Sequence, residues 1–176
     1  MIYYDMMNEN LEIQQLKKQI IEEMGVYFES EDTTSPLSSR IFALLVLEGS
    51  EGASFDKIVE ELEISKSSAS TNLQILQSMG RVSYYTKPGD RKRYFKASVT
   101  SLVNRLEDKI QSWKRERCLH ERVATYREKV ISNNEDNNID VEKDLSFNIH
   151  YIEFVDVMID NLSRLKNNIL ITVNQD

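Results

Sequence analysis

The sequence predicts a mainly α-helical protein with one small β-hairpin. Only five of its 176 residues are glycine and two are proline, and so few turn-forming residues favour long helices. Apolar side chains recur every three or four positions through most of the chain, which is the period of an amphipathic helix. Residues 81–97 instead alternate around a central Pro88-Gly89, and this pattern predicts a hairpin with a type II turn.

The first predicted elements are two helices joined by a polar loop over 30–35. Residues 9–29 have helical periodicity, although Gly25 weakens it. Ser35-Pro36 then combines a good N-cap with a proline suited to the first helical turn. We therefore expect a second helix to Glu48, which is apolar on most faces and buried.

A pair of short helices and the hairpin follow. Ser54 caps a predicted helix over 55–62, and Ser65 caps another over 66–79, which Gly80 ends. The predicted inward positions of the second of these helices are Ala69, Leu73, Leu76 and Met79. Three helices followed by a hairpin, with short links, are the order of a winged helix-turn-helix domain, which we place at residues 35–98.

Long helices are expected on both sides of this domain. The apolar pattern predicts helices over 99–131 and 141–171, separated by a flexible polar break over 132–138. A small winged domain offers too little surface to cover such stripes, so we expect residues 1–34 and 99–176 to form a dimerisation region. The heptad pattern is too irregular for a pure coiled coil.

Net charge first argues against a nucleic-acid partner and then, once divided along the chain, favours one. Lys and Arg number 22 against 29 Asp and Glu, a formal charge of −7. Residues 65–97 contain seven basic residues and one acidic residue, a local charge of +6, which leaves 15 basic and 28 acidic residues elsewhere, or −13. Lys and Arg that neutralise phosphates supply most non-specific DNA affinity. Since salt screens distant charges, the local charge of +6 matters more for DNA binding than the −13 elsewhere, and it favours a nucleic-acid partner.

The predicted helix over 66–79 also has chemistry suited to a DNA groove. Its outer face presents small hydroxyl side chains and Gln74, which can bond phosphates or base edges. Arg91 and Arg93 near the hairpin tip can enter an adjacent minor groove. The predicted DNA contacts are Ser65, Lys66, Ser67, Ser68, Ser70, Thr71, Gln74, Lys87, Arg91, Lys92 and Arg93.

Four segments together resemble the MarR superfamily, and in particular its GbsR-like branch. They are Ile64 to Gly80, Pro88 to Ala97, Arg40 to Leu47 and Glu22 to Gly25. The resemblance is good over residues 12–100. It implies a homodimeric transcriptional regulator, most simply a repressor, that binds double-stranded DNA at pseudo-palindromic operators.

The resemblance also assigns roles to individual residues. The face from Ser67 to Gln74 would belong to the recognition helix, and Asp90-Arg91 would match the Asp–Arg pair at the wing tip. Arg91 would then contact DNA, and Asp90, with Pro88 and Gly89, would position the wing. Some GbsR-like proteins respond to quaternary ammonium compounds, so a small-molecule effector is a further candidate partner.

Other side chains allow weaker functional interpretations. An aromatic cage for a cationic effector could use Trp113, Tyr126, Tyr151 and Phe154, although residues at this spacing are more often core. Cys118 with His120, and His150 with Glu153, are too sparse to predict a metal site. Cys118 could sense oxidants because Arg115 and Arg117 are near it in sequence. The sequence thus leaves open a thiol- or metal-responsive repressor, and also a protein-interaction adaptor on the same scaffold.

We expect neither an enzyme nor a membrane protein. The chain has no phosphate-binding glycine loop, no zinc-type cysteine pattern and no plausible triad, and no cofactor is predicted. Ser54 and Lys57 match a Ser-x-x-Lys pattern that is too short to be specific. Cys118 is the only cysteine, no secretory signal is visible, and the longest apolar run has seven residues. A membrane span needs about 20, so we expect a cytoplasmic protein.

Overall fold

The computed structural model describes residues 2–32, 34–133 and 139–173 and has two compact units, which meet in sequence at Ser98 and Val99. The first unit contains four helices, a short 3-10 turn over Gly49–Glu51 and three strands, and the second contains two helices. The elements are α1 (Ile2–Asp32), α2 (Pro36–Leu47), β1 (Ala53–Ser54), α3 (Phe55–Glu61), α4 (Lys66–Ser78), β2 (Val82–Thr86), β3 (Arg93–Ala97), α5 (Val99–Asn133) and α6 (Ile139–Val173). None of the helices in these ranges has a stretch long and apolar enough to cross a membrane.

The first unit is a winged helix-turn-helix, which confirms the predicted fold class. Its antiparallel sheet has the order β1-β3-β2, and Tyr85 on β2 pairs with Tyr94 on β3. The predicted hairpin is present, but the prediction of two strands was incomplete because β1 adds a third. β1 has only two residues, which is too short to show an alternating pattern in the sequence.

The core of this unit lies between α2, the helix-turn-helix and the sheet. Ile41, Leu44 and Leu45 of α2 are fully buried, as the apolar composition of this helix predicts. The core is completed by Ile58, Leu73, Leu76, Val82, Phe95 and, from α1, Ile21. Gly25 lets α1 approach α2 closely, because a Cβ there would lie 2.9 Å from Cγ of Arg40. The glycine that weakens the α1 pattern therefore has a packing role.

All three predicted serine caps are confirmed. The hydroxyls of Ser35, Ser54 and Ser65 each accept a hydrogen bond from the backbone N–H three residues later, which satisfies a donor at the helix start. Gly80 ends α4 with a φ of +69°, and the next N–H donates to the Leu76 carbonyl at 2.9 Å. The Gly80 N–H donates to the Gln77 carbonyl, also at 2.9 Å, and the two bonds form a Schellman motif. In the helix-turn-helix turn a non-glycine residue, Glu63, takes the same left-handed conformation with a φ of +53°.

The element bounds differ from the predictions mainly at helix ends. α1 continues to Asp32, so residues 30–32 are helical rather than loop. Met79, predicted to point inward, is 45% exposed because it is the C-cap of α4. α5 continues through residues 132 and 133, and the rest of the predicted flexible break lies outside the described residues. α6 begins two residues earlier and ends two residues later than predicted.

The second unit is an antiparallel pair of long helices. Ion pairs join Glu107 to Lys166 and Arg127 to Asp144, which fixes the opposite directions of α5 and α6. Ile110 packs between the helices against Val155 and Ile159. α1 packs against α2 in the first unit, and its proposed share in a dimerisation region stays a prediction.

Candidate nucleic-acid interface

α4 presents a polar face to solvent because its apolar side chains enter the core. Ala69, Leu73 and Leu76 are buried, as predicted. Among the predicted contact residues of this helix, Ser67, Thr71 and Gln74 are exposed, whereas Ser68 and Ser70 are half-buried. The exposed set recurs at helical spacing and forms one continuous surface.

The hydroxyls at the start of α4 bond to one another. Besides capping the helix, the Ser65 hydroxyl lies 3.0 Å from that of Ser67 and donates to that of Ser68 at 2.8 Å. Lys66 lies 4.0 Å from a carboxylate oxygen of Asp56, and both side chains are largely exposed, so this ion pair is weak. Phosphate binding here would exchange internal hydroxyl bonds for bonds to DNA.

Asn72 is a structural residue of α4 that the sequence reasoning missed. Its Oδ1 accepts hydrogen bonds from the Ser35 and Ser38 hydroxyls at 2.9 and 2.8 Å, and its amide donates to the Ser68 carbonyl at 2.8 Å. These bonds attach α4 to the N-terminus of α2. The sequence did contain one indication of this role, because Asn72 is a polar residue next to Leu73 on the inward side of an amphipathic helix.

The wing tip is a hydrogen-bonded turn, as predicted. The Asp90 N–H donates to the Lys87 carbonyl at 3.0 Å and Gly89 has a φ of +78°, as a type II turn requires. The Asp90 carboxylate accepts from the Lys92 N–H at 2.9 Å and from the Tyr94 hydroxyl at 2.8 Å. These bonds lower the pKa of Asp90. Asp90 thus fixes the backbone that carries Arg91, and the DNA contact of Arg91 stays a prediction.

The basic residues of the wing have different environments. Arg91 and Lys92 are exposed, and neither side chain makes an ion pair within the described part of the chain. Arg93, also exposed, is the first residue of β3 and pairs with Thr86, and its guanidinium lies 5.8 and 5.9 Å from the ring centres of Phe55 and Phe95. The Lys96 ammonium lies 5.3 Å from the Tyr85 ring centre.

Arg81 does not belong to the contact surface, although it contributes to the +6 of residues 65–97. It is only 5% exposed, and its guanidinium lies over the rings of Phe42 and Phe28 at 4.6 and 5.9 Å. Cation–π contacts with core aromatics stabilise it there. The basic surface is therefore smaller than the sequence sum indicates.

The second unit brings together three of the four predicted cage residues. The Phe154 ring centre lies 6.4 Å from that of Trp113 and 6.2 Å from that of Tyr151. Tyr126 is 13 residues beyond Trp113 on α5, about 20 Å along the helix, so one chain does not bring all four together. The Tyr151 hydroxyl donates to Glu116 at 2.6 Å, and this bond raises the pKa of Tyr151.

The residues considered as a reactive thiol, as metal ligands or as a Ser-x-x-Lys pair differ in their surroundings. Cys118 is exposed, and the His120 ring packs 4.4 Å from that of Tyr151. No group of three or more His, Cys, Asp or Glu residues that could hold a metal occurs among residues 2–32, 34–133 and 139–173. Ser54 caps α3, and the Lys57 ammonium bonds to Glu48, so local contacts account for both residues of the Ser-x-x-Lys pattern.

Comparison with known proteins gives only distant likenesses. No family model matches the sequence, and no curated protein matches it. A crystal structure of a transcriptional regulator is 19% identical with a TM-score of 0.47, over 84% of this chain and 98% of that one. Streptococcus pneumoniae FabT in complex with DNA is 16% identical with a TM-score of 0.36, over 88% of this chain and 99% of FabT.

Proposed function

We propose that this chain is a sequence-specific DNA-binding transcriptional regulator of the MarR type, which acts as a homodimeric repressor. The observation that carries the proposal is that a polar α4 face and a cationic wing occur in one winged helix-turn-helix unit. Residues 65–79 contain no Asp or Glu, so nothing on α4 itself repels phosphate. Arg91 and Lys92 extend from the turn that follows β2 and are exposed.

The proposed binding mode is the one typical of a winged helix-turn-helix, with α4 in the major groove and the wing beside it. α4 enters the major groove, where Gln74 can pair with adenine and Ser67 and Thr71 can bond base edges or phosphates. α4 has no arginine, so the commonest guanine contact is not available to it. The wing binds the adjacent backbone and minor groove through Arg91 and Lys92.

Exposed apolar side chains support the proposed homodimer. Several large apolar side chains of α5 and α6 are exposed: Phe147 and Phe154 of α6 are 63% and 52% exposed, and Leu119 and Tyr126 of α5 are 58% and 68% exposed. α1 adds Ile13, Leu16 and Tyr27, each more than half exposed. Each unit therefore leaves large apolar side chains exposed, and burial of such side chains against a second copy would be favourable. A two-fold dimer would place two copies of α4 about 34–36 Å apart, at successive major grooves.

The DNA-binding proposal is tested by the salt dependence of duplex binding. We expect the full chain to bind a mixed-sequence duplex of about 30 base pairs, more weakly at about 200 mM than at about 50 mM salt. Arg91→Ala with Lys92→Ala should weaken binding and reduce the slope of log K against log salt by about 1.8, or 0.9 for each lost phosphate contact. The matched control is Lys109→Ala with Lys114→Ala, which removes two exposed basic residues from α5, away from Leu119 and Tyr126.

The results separate the proposal from its alternative. If the wing variant binds like the unaltered chain, or if the α5 control loses as much affinity, the wing assignment is wrong. If the unaltered chain binds no duplex at low salt, the adaptor function becomes the better proposal. Selection from a random duplex pool then tests α4, since Gln74→Ala should relax the preference at one base position.

The dimer is tested separately by light scattering. We expect twice the mass of the chain at micromolar concentration, and we expect Phe147→Glu with Phe154→Glu to give the monomer mass because charges cannot be buried unpaired. A monomer mass for the unaltered chain would refute the dimer.

A further inference from the structure

Glu51 lies beside the wing and forms an ion pair with one of its predicted DNA contacts. Its Oε2 is 3.2 Å from the Lys87 ammonium. The Glu51 side chain is 81% exposed and that of Lys87 is 41% exposed, so both remain accessible from solvent. The pair joins the 3-10 turn before β1 to the first residue of the wing turn.

The backbone places Glu51 at this position. Gly52, the next residue, has φ +58° and ψ −159°, a region open essentially only to glycine. A Cβ on Gly52 would lie 2.1 Å from the Phe95 carbonyl oxygen, so the lack of a side chain lets the turn lie directly on β3. The Tyr85 hydroxyl then donates to the Glu51 carbonyl at 2.7 Å. Two separate contacts therefore hold Glu51 against the sheet.

Lys87 also contacts an aromatic ring of β3. Its ammonium lies 4.5 Å from the centre of the Tyr94 ring, and Asp90 accepts a bond from the Tyr94 hydroxyl. The bond from Glu51 is the main reason that the pKa of Lys87 is raised. Lys87 is thus a charged lysine with a carboxylate partner, whereas Arg91 and Lys92 make no such pair within the described residues.

We propose that Glu51 limits the DNA affinity of the wing by occupying Lys87. This inference rests on the proposed DNA-binding function. A phosphate that approaches Lys87 must compete with the Glu51 carboxylate or remain next to it, and like charges at this distance repel. The exposed pair is weak by itself, but the Glu51 carboxylate remains beside any phosphate that Lys87 binds, so it reduces the net contribution of Lys87 to phosphate neutralisation.

A lower phosphate affinity has a consequence for specificity. Backbone contacts strengthen binding to every sequence, whereas base contacts strengthen binding to the operator alone. Glu51 therefore shifts the balance of binding energy from the wing to α4 and raises the ratio of specific to non-specific affinity.

The test is a double-mutant cycle with Glu51→Gln and Lys87→Met in the full chain. The substitution at Glu51 keeps the side-chain shape and the backbone contacts. The probe is the same mixed-sequence duplex at several salt concentrations. We expect Glu51→Gln to bind it about three- to tenfold more tightly at low salt and to steepen the salt slope by about 0.9, because Lys87 then neutralises a phosphate. In the Lys87→Met background we expect Glu51→Gln to change neither quantity.

The outcomes distinguish this inference from the proposed function. Unchanged or weaker binding by Glu51→Gln overturns the inference, as does a gain that persists without Lys87 or that leaves the salt slope unaltered. Glu12→Gln, the same charge change on an exposed part of α1, is the matched control, and an equal gain there would also overturn it. Failure of the unaltered chain to bind the duplex would instead refute the proposed function.

Discussion

Asn72 gives a sharp test of how α4 is positioned, because it attaches the helix to α2 through side-chain bonds alone. Asn72→Ala removes the acceptor for two hydroxyls. The Ser38 residue is fully buried, so its hydroxyl cannot turn to water and loses its bond. The Ser35 residue is exposed and can bond to water instead.

The expected cost follows from this difference. A buried donor left without an acceptor costs about 1–3 kcal/mol, whereas a hydroxyl that exchanges its partner for water costs much less. The Ser68 carbonyl loses its bond from the Asn72 side-chain amide, but it still accepts the helical bond from the backbone N–H four residues later. We therefore expect Asn72→Ala to lower the free energy of unfolding by about 2 kcal/mol.

Urea denaturation followed by circular dichroism measures this loss. Gln74→Ala, two residues away on the exposed face, is the matched control and should change stability by less than about 0.5 kcal/mol. Removing the Ser38 hydroxyl should relieve part of the penalty, so Asn72→Ala with Ser38→Ala should cost about 1 kcal/mol less than the two single changes added. The reasoning is refuted if Asn72→Ala costs no more than the control, or if the two changes are additive.

Two further predictions concern the packing around α2 and β1. Gly52→Ala should lower the melting temperature far more than Gly49→Ala. Both residues have positive φ, but only at Gly52 would the added methyl meet a backbone atom, the Phe95 carbonyl oxygen. Equal shifts of the melting temperature for the two variants would contradict this prediction. For Glu48, burial by itself raises the pKa, but hydrogen bonds from Lys17 and Lys57 outweigh it and leave the pKa below 4.5. This carboxylate therefore contributes stability above its unfolded pKa of about 4.5 that is lost as pH falls through the lower folded pKa. The stability difference between the unaltered chain and Lys17→Met, about 1 kcal/mol near neutral pH, should shrink below about pH 4.5 in urea titrations, and a difference independent of pH would refute the assignment.

The parts of the fold that depend on neighbouring residues could be predicted from the sequence. A serine cap and the N–H it accepts from are three residues apart, and a type II turn needs only a proline followed by a glycine. The caps at Ser35, Ser54 and Ser65 and the turn at Gly89 were therefore predictable. Strand β1 was not, because its two residues are extended only through pairing with β3, about 40 residues later.

The same distinction applies to the candidate site. The exposed face of α4 could be predicted, since it is the complement of a periodic apolar face. The bonds from Asn72 to Ser35 and Ser38 span 37 and 34 residues, and Glu51 and Lys87 are 36 apart. No local pattern reports a side-chain pair at that separation, so these contacts needed the three-dimensional structure.

The structure also changes what the net charge of residues 65–97 means. Of the seven basic residues that give +6, Arg81 is buried on two aromatic rings and Lys87 is paired with Glu51, an acid outside the segment. The cations that remain at the wing tip are Arg91 and Lys92, and their attraction for phosphate extends only about 8–10 Å at physiological salt. Since these are two charges, releasing Lys87 from Glu51 would add a third at the wing, which is why we expect Glu51→Gln to have a measurable effect on duplex binding.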